Sequence, residues 1–339
     1  MKRYALSISL TLLAFMFAVP VHTAHANANT PVFEKTYEES FRYKMHGVDY
    51  DKTAVKNWYF DVKTGKIAFI TDAKVEDILK STGSKLNNGW GLVSYSPLVA
   101  RGETYHADDK HTYYTPIYSF DDAGQMLAKK VFQSRSSEAN FLSIAPDSFL
   151  VTYRLSEDGT YRTSKDYLDV VTPPGMESKT FEIKDPKIAR AYGGTGDMLG
   201  EDKLVFSDQG GGEAGGIYLH DLQTGKSSLL FSSEDILGRP SFMARNTVST
   251  IRVSDNERYM FLGISRDSRG PTRWVAFVVY DLEKGEFVFS EKFGNRGFFS
   301  SGHFLRDVRL IMLPNNEVGV SYTDQNDQTY NFVKYRFHD

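Results

Sequence analysis

One short phrase recurs along most of this chain and constrains its fold more than any other feature. The phrase is an aromatic or β-branched run, an Asp, a few residues, a Gly, and a second strand-like run. Clear copies occupy 58–67, 217–226 and 278–287, and a looser copy occupies 117–126. An Asp at a strand end bonds to the backbone of a tight turn, and Gly supplies the positive φ that such turns need. Each copy therefore predicts a β-hairpin.

The spacing of the copies predicts how the hairpins are assembled. Copies roughly 50 to 60 residues apart leave room for one four-stranded antiparallel sheet each, which is the repeat of a β-propeller. The alternative, a pair of β-sandwiches, predicts shorter and less regular spacing. We therefore expect an all-β chain that forms a single β-propeller.

The strand-end markers predict six blades. The markers are Asp61, Asp121, Asp169, Asp221, Asp281 and the run 331–337. The Asp169 copy is the least regular, because Pro173, Pro174 and Gly175 replace the simple turn. Seven blades stay open as an alternative, because the segment 33–51 could pair with the last blade or add strands of its own. Such pairing would close the ring and leave no free sheet edge.

The N-terminus predicts export from the cytoplasm. Lys2 and Arg3 precede an apolar stretch at 5–18, and small residues then end at Ala26 or Ala28. This order is typical of a secretory signal peptide, here 1–28, followed by a propeller domain at 29–339. The alternative is a membrane anchor, but a spanning helix needs about 20 apolar residues and this run is shorter. We expect a periplasmic or secreted protein with no membrane insertion after cleavage.

Charge and cysteine content exclude several functions. The formal net charge is -3 and no long basic run occurs, so we expect no nucleic-acid partner and no anionic membrane partner. The chain contains no Cys, which excludes disulfides and a thiol nucleophile. Stability must therefore come from burial.

Two segments resemble a known bacterial repeat. Residues 253–262, followed by 277–286, resemble the WD40-like repeats of the TolB type, in which a Ser-Pro-Asp-Gly turn precedes one strand and a Tyr-Asp-x-x-x-Gly turn follows another. Residues 145–148 and 313–316 are similar to the first turn. This chain lacks the Pro at Asp255 and lacks the Gly in all three turns. The resemblance implies a propeller that binds a protein partner, and it assigns no functional residue.

The densest group of candidate metal ligands lies at 103–111. His106 and His111 flank Asp108 and Asp109, and imidazoles with carboxylates could hold a divalent metal if the loop folds back on itself. The spacing fits neither a helical His pair nor a closed zinc signature. A solvated loop between strands is the competing interpretation, and no other cofactor is predicted.

A second candidate is rich in glycine. The segments 192–197 and 208–216 contain most of the clustered Gly residues, and Asp208 and Glu213 lie in the second one. Glycine lets a backbone approach a ligand closely, but no phosphate-loop Lys follows either segment. The two interpretations are a flexible hairpin and a ligand-binding rim over the mouth of the propeller.

The third candidate is a charged loop that we expect to be exposed. Arg266, Arg269 and Arg273 surround it and Trp274 follows, and Arg and Trp are favoured at binding hot spots. This loop is the predicted contact site for a protein partner or an acidic ligand. A solvated loop between strands is again the alternative.

No strong catalytic motif occurs. The chain has no Gly-x-Ser-x-Gly elbow, the nearest Ser and His pairing is 300–303, and His220 is expected to be structural. The leading hypothesis is a binding module for a protein partner, of which an inhibitor or immunity-type protein is one form, with a small ligand as an alternative. The competing hypothesis is a propeller enzyme, a hydrolase, lyase or lactonase, with an acidic or metal-assisted central site.

Overall fold

The computed structural model describes most of the chain from Phe33 onward. The described residues are 33–42, 57–61, 66–70, 80, 82, 92–94, 98–106, 111–121, 123–135, 138–144, 148–156, 163–185, 188, 195–208, 216–232, 235–236, 244–268, 274–294, 305–324 and 329–338. The predicted signal peptide lies outside these residues. No helix in the described ranges is long and apolar enough to cross a membrane.

The described residues form 23 strands in six antiparallel sheets, numbered here in chain order. Sheet 1 contains β2 (Asn57–Asp61) and β3 (Lys66–Ile70). Sheet 2 contains β4 (Leu92–Ser94), β5 (Leu98–Arg101), β6 (Tyr105–His106), β7 (Thr112–Phe120) and β8 (Met126–Arg135). Sheet 3 contains β9 (Asn140–Ile144), β10 (Phe149–Ser156), β11 (Ser164–Thr172) and β12 (Glu177–Ile183).

The second half of the chain repeats the four-strand pattern. Sheet 4 contains β13 (Gly196–Leu199), β14 (Lys203–Ser207), β15 (Gly216–Asp221) and β16 (Lys226–Ser232). Sheet 5 contains β17 (Ala244–Val253), β18 (Tyr259–Ser268), β19 (Val275–Asp281) and β20 (Glu286–Phe293). Sheet 6 contains β21 (Leu305–Leu313), β22 (Glu317–Asp324), β23 (Thr329–Phe337) and, from the other end of the chain, β1 (Phe33–Arg42).

Sheet 6 closes a ring. β1 pairs antiparallel with β23 from Phe33 opposite Phe337 to Arg42 opposite Thr329, so the first and last strands share one sheet. The first strands of successive sheets also contact one another, β9 with β13, β13 with β17 and β17 with β21, as strands around a propeller axis do. The prediction of an all-β propeller with four-stranded antiparallel sheets is confirmed. The segment that begins at Phe33 pairs with the last sheet, one of the two outcomes left open above.

The predicted hairpin turns at Asp221 and Asp281 are present, whereas the turn residues 62–65 of the first copy lie outside the described residues. Asp221 Oδ1 accepts the backbone N–H groups of Gln223 and Thr224 at 3.0 and 2.7 Å. Asp281 Oδ1 accepts those of Glu283 and Lys284, both at 3.0 Å. Gly225 and Gly285 complete these turns at φ of 69° and 71°, a region that a residue with a Cβ occupies at a cost.

Asp169 does not lie at the strand end that the sequence predicted. It lies inside β11 and is 3% exposed, so it does not cap the turn at 173–176. Its carboxylate instead accepts hydrogen bonds from the Tyr153 and Thr180 hydroxyls at 2.9 and 2.8 Å and lies 3.4 Å from Lys130 Nζ of sheet 2. Since its partners come from three strands, Asp169 joins sheets 2 and 3.

The core lies between neighbouring sheets. The central strand β19 is buried at every position, whereas the outer strand β20 is mostly exposed or half-buried. One cluster packs sheet 4 against sheet 5, and another packs sheet 5 against sheet 6 around Phe261, Phe277 and Tyr335. Aromatic side chains therefore help to pack these sheets face to face.

Candidate functional site: the loop face

The connections between strands divide the ring into two unlike faces. Successive antiparallel strands reverse direction, so in sheets 2 to 5 the first-to-second and third-to-fourth connections lie at one end of the sheet and the second-to-third connection lies at the other; in sheet 6 the β21–β22 and β22–β23 connections are divided in the same way. We call the first end the turn face and the second the loop face. The turn-face connections are three to five residues long, and the loop-face connections of sheets 2 to 6 are four to ten.

The first strands of sheets 4 and 5 are hydrogen-bonded to each other, which aligns the ends of these two sheets. The N–H of Ile251 donates to Thr195 Oγ1 at 3.2 Å, and the N–H of Val253 donates to Asp197 Oδ2 at 3.0 Å. From the first bond to the second, the residue number rises by two on both strands, so β13 and β17 run parallel. At the turn face, the carboxylate of Glu257 accordingly lies beside Gly200 of the neighbouring sheet.

All three candidate loops from the sequence are loop-face connections. The ligand group at 103–111 belongs to the β5–β7 connection of sheet 2, and Asp208 and Glu213 belong to the β14–β15 connection of sheet 4. Arg269 and Arg273 belong to the β18–β19 connection of sheet 5, and Arg266 lies near the end of β18. Residues that are distant in sequence thus share one face, which none of the local motifs predicted.

Only part of each loop is described. Asp108, Asp109, Glu213, Arg269 and Arg273 lie outside the described residues, and for Arg266 only the backbone is described. The binding and metal roles assigned to these residues from the sequence stay predictions.

The structure contradicts the prediction that Trp274 is exposed. It is 6% exposed and packs in the core cluster of sheets 4 and 5, so it is not the exposed side chain that the sequence suggested. Lys292 Nζ lies 4.9 Å from the centroid of its ring, a cation–π contact. The large apolar indole ring gains more from burial at the start of β19 than from solvent contact. Trp274 therefore anchors the base of the Arg loop.

The β6–β7 hairpin carries paired aromatic rings on the loop face. Tyr105 lies opposite Tyr114, and their rings stack at 5.2 Å with an interplanar angle of 16°. His106 lies opposite Tyr113, with ring centroids 4.4 Å apart. Both His106 and His111 are exposed. Within the described ranges, no three His, Asp or Glu side chains come together as metal ligands would.

The two ends of the Gly-rich segment 208–216 are joined by a backbone hydrogen bond at the edge of sheet 4. The N–H of Asp208 donates to the carbonyl of Gly216 at 3.0 Å, and Asp208 is half-buried. This bond fixes the two points between which the segment runs. The backbone of Asp208 therefore has a defined place at the edge of the loop face.

Two arginine–carboxylate pairs near the loop face were missed by sequence analysis. Arg101, the last residue of β5, is 9% exposed and bonds to Glu138, which precedes β9 of the next sheet. Burial lowers the pKa of Arg101, and Glu138 opposes that shift. Arg154 binds Asp166 through Nε and Nη2 at 2.7 and 3.1 Å. No local pattern marks these pairs, since the two partners of each pair are far apart in the sequence.

A cleft of about 450 Å³ lies elsewhere, between sheets 3 and 4. Its apolar residues are Val170 and Met198, and Lys179 bridges to Glu201 at its edge at 3.5 Å. The turn residues Gly200 and Glu201 place it toward the turn face, so none of the three candidate loops contributes to it.

Comparison with known proteins gives no family assignment. No protein-family model matches this sequence, and no curated protein matches it. Solved structures that match include an acylaminoacyl peptidase from Pyrococcus horikoshii, with 11% identity, a TM-score of 0.28, and coverage of 51% of this chain and 26% of that one. A mutant of Synechocystis apocarotenoid oxygenase matches with 11% identity, a TM-score of 0.31, and coverage of 71% and 61%.

A third match is an oligogalacturonate lyase in complex with manganese, with 10% identity, a TM-score of 0.32, and coverage of 67% of this chain and 62% of that one. This chain covers less than two thirds of the length of each of the three proteins. Similarity at this level carries no argument about activity. The fold is accordingly assigned from the strand order and ring closure described above.

Proposed function

We propose that this chain is a periplasmic or secreted β-propeller binding module that engages a protein partner through its loop face. The observation that carries the proposal is the placement of three candidate loops, those of sheets 2, 4 and 5, at the same end of the ring. Propellers present binding surfaces by grouping loops from separate sheets in this way.

The bases of these loops are held by packed or paired side chains. Trp274 is buried below the Arg loop, and Arg101 with Glu138 ties sheet 2 to sheet 3 near the same face. A fixed base lowers the entropy that a loop loses on binding, which favours affinity. An inhibitor or immunity-type protein is one form of this function, and a TolB-like repeat protein is the family we propose.

Charge reversal tests the proposal. Replacing Arg266, Arg269 and Arg273 with Glu should release the partner at low salt, because opposite charges across an interface would become like charges. The matched control replaces Lys203, Lys226 and Lys284 with Glu, since these exposed lysines flank turns on the opposite face. Retention of the partner by the Arg variant, or equal loss in both variants, would reject the loop face as the binding surface.

The second candidate function is a metal-assisted enzyme, and one observation favours it. His106 and His111 are both exposed on the two arms of the same loop-face hairpin, where a substrate could reach them. Alanine at Asp108 or His111 should then remove bound divalent metal while the melting temperature stays unchanged. Absence of metal from the purified wild-type protein would reject this candidate and leave the binding module unaffected.

A further inference from the structure

A chain of three polar side chains, of which His220 is fully buried and the other two are half-buried, joins sheets 3 and 4. His220 of β15 is 0% exposed, and its Nδ1 lies 2.9 Å from Ser227 Oγ on the neighbouring strand β16. The Ser227 hydroxyl donates in turn to Oδ2 of Asp185, which follows β12 of sheet 3. The chain therefore crosses the boundary between the two sheets.

The direction of these bonds fixes the histidine tautomer. A carboxylate only accepts, so the single proton of Ser227 is used toward Asp185, and the serine oxygen must accept from His220 Nδ1–H. Nε2 is then the nitrogen without a proton. Nε2 is buried and has no hydrogen-bond partner among the described residues.

The charged groups around His220 come from both sheets. Asp185 reaches it from sheet 3, and Asp221 follows it on β15 with its carboxylate bonded to the turn N–H groups of Gln223 and Thr224. Lys203 of β14 and Lys226 of β16 both lie opposite Asp221, and Lys184 packs its side chain against Gly225. None of these groups forms a hydrogen bond with Nε2.

We propose that His220, Ser227 and Asp185 form an acid-sensitive latch between sheets 3 and 4. Protonation of Nε2 places a charge and an N–H donor in a buried site where no described residue accepts from it, which costs far more than protonation in water. The latch is therefore closed near neutral pH and loosens when the surroundings acidify. This role is independent of the loop face.

The sign of the pH dependence follows from the direction of the shift. Burial lowers the pKa of His220 below its ordinary 6.5, and the Asp185 and Asp221 carboxylates oppose the shift in part. The unfolded chain then binds the proton more tightly than the folded protein. The stabilisation is fully present above about pH 6.5 and is lost as the pH falls toward the folded-state pKa.

Urea unfolding of the mature protein between about pH 7.5 and 5 tests the latch, because this window spans the ordinary histidine pKa. The folding equilibrium constant should fall by up to about tenfold per pH unit below 6.5 through this one group. His220→Asn keeps a donor near Nδ1 and cannot be protonated, so this loss should disappear. His338→Asn removes an exposed histidine and should leave it unchanged.

If His220→Asn does not fold, the variant Asp185→Asn and hydrogen exchange of the wild-type protein still test the latch. Asp185→Asn keeps an acceptor for Ser227 but removes a carboxylate that opposes the shift, so the loss of stability on acidification should grow. Hydrogen exchange should show β15 and β16 opening at low pH before β18 and β19 do. Equal pH dependence in wild type and His220→Asn, a smaller loss in Asp185→Asn, or uniform opening of all sheets would overturn the latch.

Discussion

The turn face and the loop face of this propeller are built by different chemistry. At the turn face, a single Asp organises the β15–β16 and β19–β20 connections; Asp281 accepts two backbone N–H groups of its own turn and pairs with Arg258 at 3.2 Å. At the loop face, the side chains near the strand ends find partners on other strands or other sheets, as Arg101 does with Glu138 and Trp274 with Lys292. These two turns are therefore specified by their own residues, whereas the side chains at the loop face depend on the assembled ring.

The largest expected effect concerns the base of the loop face. Trp274→Ala removes a buried indole ring from the core of sheets 4 and 5 and should lower the free energy of unfolding by about 3 kcal/mol. Urea unfolding measures the loss, and Trp274→Phe, which keeps an aromatic ring, should lose less. If the free energy of unfolding of Trp274→Ala equalled that of the wild type within error, the Arg loop would have no packed base, and the two faces would not differ in this way.

A somewhat smaller effect is expected for the best-buried turn. Asp281→Ala leaves two turn N–H groups and Arg258 without their carboxylate and should cost about 2 kcal/mol. Asp221→Ala is the matched control, because Asp221 caps an equivalent turn without an arginine partner and is more exposed, so it should cost less. Equal losses in the two variants would show that the ion pair with Arg258 contributes nothing.

A gain in stability is expected at one turn. Glu257 has a φ of 59° and occupies the last position of the Ser254 turn, where the TolB-type motif has Gly. Glu257→Gly should raise the free energy of unfolding by about 0.5 kcal/mol, because Gly adopts this φ without a steric cost. Asp255→Gly in the same turn is the control, since Asp255 has no positive φ. A loss of stability in Glu257→Gly would show that its carboxylate contributes more than its backbone costs.

The smallest expected change in stability belongs to the loop face itself. Charge reversal at Arg266, Arg269 and Arg273 should shift the free energy of unfolding by no more than about 0.5 kcal/mol, as surface substitutions usually do. The same variant should lose its partner. A large loss of stability would instead place these arginines in the structural framework, and the loss of partner would then carry no information about the interface.

The sequence predicted the parts of the fold that depend on neighbouring residues. The Asp221 and Asp281 turns follow from an Asp and a Gly a few positions apart, and the all-β class follows from their repetition. Asp169 marks a blade as predicted, but its position inside β11 and its partners Tyr153, Thr180 and Lys130 could not be predicted, because those partners come from three other strands.

The candidate site was predictable only in part, for the same reason. Arg, His and Gly clusters could be read from the sequence, but their placement on one face requires the strand order. The burial of Trp274 requires the packing of sheet 4 against sheet 5, and the Asp185 partner of Ser227 lies in another sheet. Contacts between sheets leave no local pattern.

The most direct test of the central claim is photo-crosslinking in the native compartment. A photoreactive amino acid would replace Tyr105, which is 49% exposed on the loop face, or, as the control, Thr224, which is exposed at the turn face. We expect one stoichiometric protein adduct from position 105 and none from position 224. An adduct from position 224 alone, or none from either position, would contradict a protein-binding loop face.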